Sequence, residues 1–382
     1  MTLTNAAPLN EELVFSPSSG FHSARILETP GNIAIERDGR TLTASLVSDR
    51  DCTTLHFTVL GFDAPAEMGT ESNAYYHLKE AATVRDDRGR EIAPHSRWHT
   101  GGMIRRRGDG TLMLDWQLKL VRLPSDVRSV ELSFGGAAGD WNVQIPVMTS
   151  EPAGTPARRI DASDAHHEIR LAATAIARTS EITAIEIEAT VAPHADDLPG
   201  RPKRYVQGIG THGGERLSDE ILTLRDDHGG EHQERGGFMH MPAPSGRQMV
   251  GFPPLPEDAR LAILEIPFLA IQERTDKSLT LPVPSETDVR FEGCDAQIAV
   301  TRGTDAKVRV EITPKDPDAA RQILYFSRVE VVGGPEIGMT IQHCAGQPVV
   351  VKTPDPRGSP TATLRGPVLR LAGPWRLELP LV

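Results

Sequence analysis

The chain repeats itself, and the repeat limits what it can fold into. Thr83-Val84-Arg85-Asp86-Asp87-Arg88-Gly89-Arg90-Glu91 has a near copy in Thr223-Leu224-Arg225-Asp226-Asp227-His228-Gly229-Gly230-Glu231. Leu123-Pro124-Ser125-Asp126-Val127-Arg128 returns as Leu255-Pro256-Glu257-Asp258-Ala259-Arg260. Each copy then enters an alternating stretch, Val130, Leu132 and Phe134 in the first and Leu261, Ile263 and Leu264-Glu265-Ile266 in the second. Apolar residues two apart share one face of a strand, so the repeating unit is built of half-buried strands. Both copies open with a hairpin pattern. Leu42–Val47 leads through Asp49-Arg50-Asp51 into Leu55–Val59, and Ile169–Thr174 leads through Arg178-Thr179-Ser180 into Ile185–Val191. A third hairpin reads in Ala296–Val300 and Val308–Ile312.

A closing strand occurs three times: Trp141–Val147, Ser278–Val283 and Trp375–Leu381, each with a Pro near its end, where a ladder N–H is not needed. These landmarks predict an all-β chain of three immunoglobulin-like sandwiches in series. A polar tail covers 1–24, the first sandwich 25–150, the second 157–284 and a diverged third 285–382. Modules of this size suit that fold, which takes about 100 residues. Thr149 to Pro156 and Pro284 to Thr287 serve as linkers. Only His77 to Ala82 and Asp316 to Ile323 suggest a turn or two of helix. The 34 Gly and 30 Pro fit many short strands joined by many turns.

A net charge of −11 argues against a nucleic-acid partner, which needs a basic face. Arg105-Arg106-Arg107, the densest basic run, reads as a solvated hairpin tip. Met1 to Arg25 is polar with no apolar run, so no signal peptide is visible, and no stretch reaches the length of a membrane span. The chain is therefore read as soluble. Three cysteines, Cys52, Cys294 and Cys344, are too few for a disulfide framework; a Cys294–Cys344 bridge and free thiols both remain open.

A hairpin, an insertion, a strand ending in Asp-Asp-x-Gly, a Leu-Pro, an alternating strand and a closing Trp-x-Val-x-Ile strand resemble bacterial immunoglobulin-like domains of unknown function. Those domains occur in the extracytoplasmic parts of anti-sigma-factor-like membrane proteins. The resemblance covers about residues 30–284. It implies the sandwich fold, suggests an extracytoplasmic setting and brings no catalytic residues.

Several short motifs mimic enzyme signatures. Gly208-Ile209-Gly210-Thr211-His212-Gly213 has the glycine spacing of a dinucleotide loop, but no crossover helix follows it, and a loop is the better reading. His228-Gly229-Gly230-Glu231-His232 has the order of inverted zinc proteases. That chemistry needs a helix, and two central Gly oppose one. The matching position of the first copy is Arg88-Gly89-Arg90-Glu91-Ile92, which favours a hairpin turn. Zinc on His228, Glu231 and His232, with His240 near in sequence, is thus a minor alternative. Calcium on Asp86-Asp87 and Asp226-Asp227 is weaker than their use as turn residues. His166-His167-Glu168 reads as a strand start whose two imidazoles point to opposite faces. Trp141 and Trp375 read as core plugs.

The expected function is non-enzymatic: a binding or structural protein with a protein partner, contacted through the insertions Gly61 to Tyr76 and Pro193 to Glu220. The candidate contact surface is Tyr75, Tyr76, Trp98, Tyr205 and His212. Two alternatives compete with it. One is a metal-dependent hydrolase at 228–232, and the other a carbohydrate-binding module, which calls for exposed aromatic rings.

Overall fold

The computed structural model describes residues 12–17, 20–31, 33–62, 82–95, 101–106, 111–135, 139–195, 197, 203–209, 222–235, 247–302, 307–332, 338–339, 349–352 and 360–382, with backbone alone at 101–106, 307, 332, 338–339 and 349–352. Every regular element among them is a β-strand, so the fold is all-β. The alternation in the sequence explains why. Along Leu112–Val121, Leu112, Leu114, Trp116, Leu118 and Leu120 are buried while the residues between them are not. Along Trp141–Pro146 every odd-numbered residue is buried and every even one exposed. The chain divides into two compact units, residues 1–157 and 158–382.

In the first unit the hairpin Arg40–Ser48 and Cys52–Phe62 is extended by Leu112–Val121 and Gly101–Arg106 on one side. Ile26–Glu28 and Met148–Ser150 extend it on the other, and Ile33–Arg37 pairs with Arg40–Ser48. A separate antiparallel sheet runs in the order Trp141–Pro146, Ser129–Phe134, Thr83–Asp86. One apolar core draws on both sheets: Leu46, Leu55 and Trp116 from the larger, Val130, Leu132 and Ile145 from the smaller. Phe57 stacks on Phe134 with ring centroids 4.9 Å apart, joining the two layers. The short hairpin Leu13–Ser16 and Gly20–Ser23 pairs with residues 155–157.

In the second unit, residues 158–166 of the strand Thr155–His166 pair with Ile169–Arg178. Thr183–Val191 and Arg247–Phe252 continue that sheet. Two long strands, Leu261–Glu273 and Thr361–Pro380, organise another. They pair antiparallel over 261–266 with 375–380, slip register at a bulge, and pair again over 268–272 with 368–372. Between them the chain makes an excursion that includes a four-stranded sheet, Ser285–Phe291, Cys294–Arg302, Lys307–Pro314 and Val349–Lys352.

This excursion rearranges the closing strands. Trp375–Leu379 stands opposite 262–266, with Trp375 across from Ile266 and Leu377 across from Leu264. That is the register of Trp141 across from Phe134 and Val143 across from Leu132. Ser278–Pro282, which the sequence suggests as the second closing strand, pairs instead with Thr361–Arg365. Asp316–Ile323 is not helical. Asp316 holds a turn by accepting from the Asp318 N–H at 3.0 Å, and strand Arg321–Val332 follows. His77 to Ala82 lies outside the described residues except for Ala82.

Candidate binding surface

The Asp-Asp-x-Gly segments form two turns with the same hydrogen bonds. Asp86 Oδ1 accepts from the Arg88 and Arg90 N–H groups at 3.0 and 2.9 Å. Asp226 Oδ1 accepts from the His228 and Gly230 N–H groups at 3.0 and 2.7 Å. Gly89 and Gly229 take φ values of +75° and +83°, a region that glycine reaches without a Cβ penalty. The second carboxylate oxygen takes a side chain: the Arg90 guanidinium on Asp86 at 2.6–2.7 Å, the His232 Nε2 on Asp226 at 2.9 Å. Burial pushes both carboxyls up, but these side-chain and backbone hydrogen bonds outweigh it and hold Asp86 and Asp226 below the usual carboxylate range. Asp87 and Asp227 tie each turn to the other motif, accepting from the N–H groups of Arg128 and Arg260. Paired acidic residues here organise the backbone.

The three residues of the zinc-like motif part company. His232 sits on Asp226, Glu231 meets the Arg225 Nε at 2.8 Å, and His228 Nε2 lies 3.7–3.8 Å from Asp227 and Asp258. The segment is a turn followed by strand Glu231–Gln233, where neighbouring side chains alternate faces. Among the described residues no group of three or more His, Cys, Asp or Glu is placed to hold a metal ion. Gly208 and Ile209 of the glycine-rich motif end a strand that pairs antiparallel with 269–273, and Gly210 to Gly213 lie outside the described residues.

The His166-His167-Glu168 expectation is corrected. Strand Thr155–His166 ends there, and His167 and Glu168 form a two-residue turn with φ of +51° and +65°. Among the described residues, the other paired positive-φ turns, Asp38-Gly39 and Glu292-Gly293, have Gly in second place. The turn swings the two imidazoles together, centroids 3.9 Å apart, and both stand T-shaped to Trp375, with centroids 5.5 and 6.3 Å from it. Trp141 and Trp375 are buried. Arg105 and Arg106 lie on a strand opposite Met113 and Leu112, and Arg107 is outside the described residues. Cys294 is a buried free thiol, and Cys344 is outside the described residues.

Of the candidate contact residues, Tyr75, Tyr76, Trp98 and His212 lie outside the described residues. Tyr205 is described, and it is 42% exposed. Within the insertion Pro193 to Glu220, strand Arg204–Ile209 adds to the edge of Leu261–Glu273, with Tyr205 across from Gln272. Its hydroxyl donates to Gln272 Oε1, which also accepts from Gln207 Nε2 at 2.5 Å. Gln272 Nε2 donates to Ser327 Oγ at 2.9 Å, and the Tyr325 hydroxyl donates to Gln207 Oε1 at 2.6 Å. Arg204 beside it is clamped on Glu273 at 2.7–2.8 Å. An exposed aromatic ring is thereby fixed by amides and hydroxyls drawn from strands far apart in sequence. Gln207, Gln272, Ser327 and Tyr325 carry no sequence signal, because strand pairing alone brings them together.

No family model matches this chain, and no curated protein matches it. Among solved structures, the crystal structure of the conserved domain protein from Bacillus anthracis aligns over 71% of this chain and 84% of that one, at 13% identity and a TM-score of 0.28. A likeness of that size bears on neither fold nor function.

Proposed function

We propose that this chain is a non-catalytic binding protein built from diverged copies of an immunoglobulin-like β-sandwich, three in all, with the third set into the second. The resemblance to bacterial immunoglobulin-like domains belongs to the same reading. The partner is a protein, and the insertion of the second copy presents the contact surface, centred on Tyr205. The observation that carries the reading is the setting of that ring: exposed, yet hydrogen-bonded through its hydroxyl to Gln272 on a paired strand. A tyrosine held this way offers a large amphipathic contact area and loses little entropy on binding, which is why Tyr anchors so many interfaces.

The experiment is photo-crosslinking in the native host's extract, with a benzophenone side chain at position 205 and a control at exposed Glu286. A discrete protein adduct from 205, absent from 286 and competed by wild-type chain but not by Tyr205→Ala, is expected. Equal adducts from both positions, or binding to immobilised glycans with no protein adduct, would remove the protein-partner reading. The glycan result would favour the carbohydrate-binding alternative.

A further inference from the structure

The closing strand Trp141–Pro146 stands at the margin of its three-stranded sheet. We propose that this margin is an interface between two copies of the chain, joined antiparallel along residues 142–144 so that their small sheets run on as one. Val147 N–H donates to the Arg128 carbonyl at 2.9 Å, so the odd-numbered residues of 141–147 turn their backbone groups toward Ser129–Phe134. The even-numbered ones turn theirs outward. The Arg37 guanidinium takes the outward carbonyl of Asp140 at 3.3 Å. The N–H and C=O groups of Asn142 and Gln144 meet no partner among the described residues, and both side chains are exposed. The opposite margin of the sheet is covered, with Ile92 N–H donating to the Val84 carbonyl at 2.8 Å.

The second unit holds the same strand in the same register and closes it at both ends. Trp375–Pro380 matches Trp141–Pro146 residue for residue, with Arg376 at the place of Asn142 and Pro380 at the place of Pro146. The Arg376 N–H donates to Asp164 Oδ2 at 2.8 Å, and the Arg158 guanidinium donates to the Pro380 carbonyl. Its outward side chains include Arg376 and Glu378, the kind of charged residue that keeps natural edges from pairing. The first unit lacks both devices. Trp141–Pro146 carries no charge in a chain of net charge −11, so two copies meet there without repulsion. A two-fold axis at Val143 sets Asn142 of each copy across from Gln144 of the other, and every N–H of these residues then finds a carbonyl. The side chains match as well. Asn142 Nδ2 donates to Glu131 Oε1 at 3.0 Å, which leaves Asn142 Oδ1 to accept from the Gln144 amide of the other copy. This fit of the strand to itself, in charge and in hydrogen bonds, names a second copy as the occupant.

The test is sedimentation equilibrium of the full chain from about 1 µM to about 1 mM, with amide exchange read at Asn142 and Gln144. A monomer–dimer equilibrium in that range is expected, with protection of those two amides rising as the dimer forms. Gln144→Pro removes an outward N–H at a place where an edge strand accepts proline, and it should weaken the dimer at least about tenfold. Asn142→Lys/Gln144→Lys and Asn142→Glu/Gln144→Glu should each stay monomeric alone, since like charges then face across the axis, and should associate when mixed. Should the charge variants fail to fold, Gln144→Pro decides. A wild-type chain that stays monomeric throughout would overturn the proposal and leave the edge to a strand of another protein. So would a dimer whose Asn142 and Gln144 amides exchange as in the monomer, a folded Gln144→Pro that dimerises as wild type, or folded charge variants that dimerise alone or fail to associate when mixed.

Discussion

Removing the carboxylate of Asp226 tests the claim that the acidic pair builds a turn. In the wild type that side chain is 1% exposed and accepts two backbone N–H bonds and one imidazole bond. Bonds to a charged acceptor contribute about 1–1.5 kcal/mol each here, toward the low end because the two N–H donors sit at a turn that water reaches. Asp226→Ala should therefore cost the second unit about 3 kcal/mol. Asp226→Asn keeps Oδ1 as an acceptor and puts an amide against His232, so its cost should be nearer about 1 kcal/mol. Hydrogen exchange read peptide by peptide along a urea series separates the two units, and 1–157 should be unaffected by either change.

The pH dependence has a definite sign. The folded carboxyl lies below the ordinary value of 3.8, so its stabilisation is complete above that value and fades as pH falls through the depressed folded pKa. The gap between wild type and Asp226→Asn should close in that acid range. An alanine variant within about 1 kcal/mol of wild type, or equal to the asparagine variant, would refute the reasoning.

Other outcomes follow from single contacts. His228→Ala should change stability by less than about 0.5 kcal/mol, with or without a chelator, since His228 is half exposed and its carboxylate neighbours are 3.7–3.8 Å away; a chelator-sensitive melt lost in this variant would instead revive zinc. Gly61→Ala should destabilise the first unit by about 2 kcal/mol in urea melts, because φ is +79° and a Cβ would stand 2.8 Å from the Gly39 carbonyl oxygen. Burial pushes the Cys294 thiol up, so alkylation mapped by mass spectrometry at pH about 8 should be slow until denaturant is added.

Much of the local structure was legible because it follows from a two-residue period. The hairpins at 40–62 and 169–191 pair across the expected turns, and the Asp-Asp-x-Gly segments turn where Gly stands. Connectivity was less legible. Ser278–Pro282 and Trp375–Pro380 alternate equally well, and nothing in either says which pairs with 261–266. The His167-Glu168 turn was missed because neither residue favours positive φ; its pairing partners and Trp375 hold it there. Among the proposed contact residues, Tyr205 could be singled out as an aromatic residue in an insertion. Its amide frame could not, since Gln207, Gln272 and Ser327 meet only through pairing among three strands and their neighbours.

Synthesis order gives the long strand pair a cost that a simple tandem array would escape. Leu261–Ile266 leaves the ribosome well before its partner Trp375–Pro380, and in the interval one ladder of its N–H and C=O groups has no strand to answer it. Residues translated much later therefore complete the ladder of a strand made early. A fragment stopped at 284 would be born with an open, aggregation-prone margin, and deleting 375–380 would strike a core whose other strand lies far upstream in the gene.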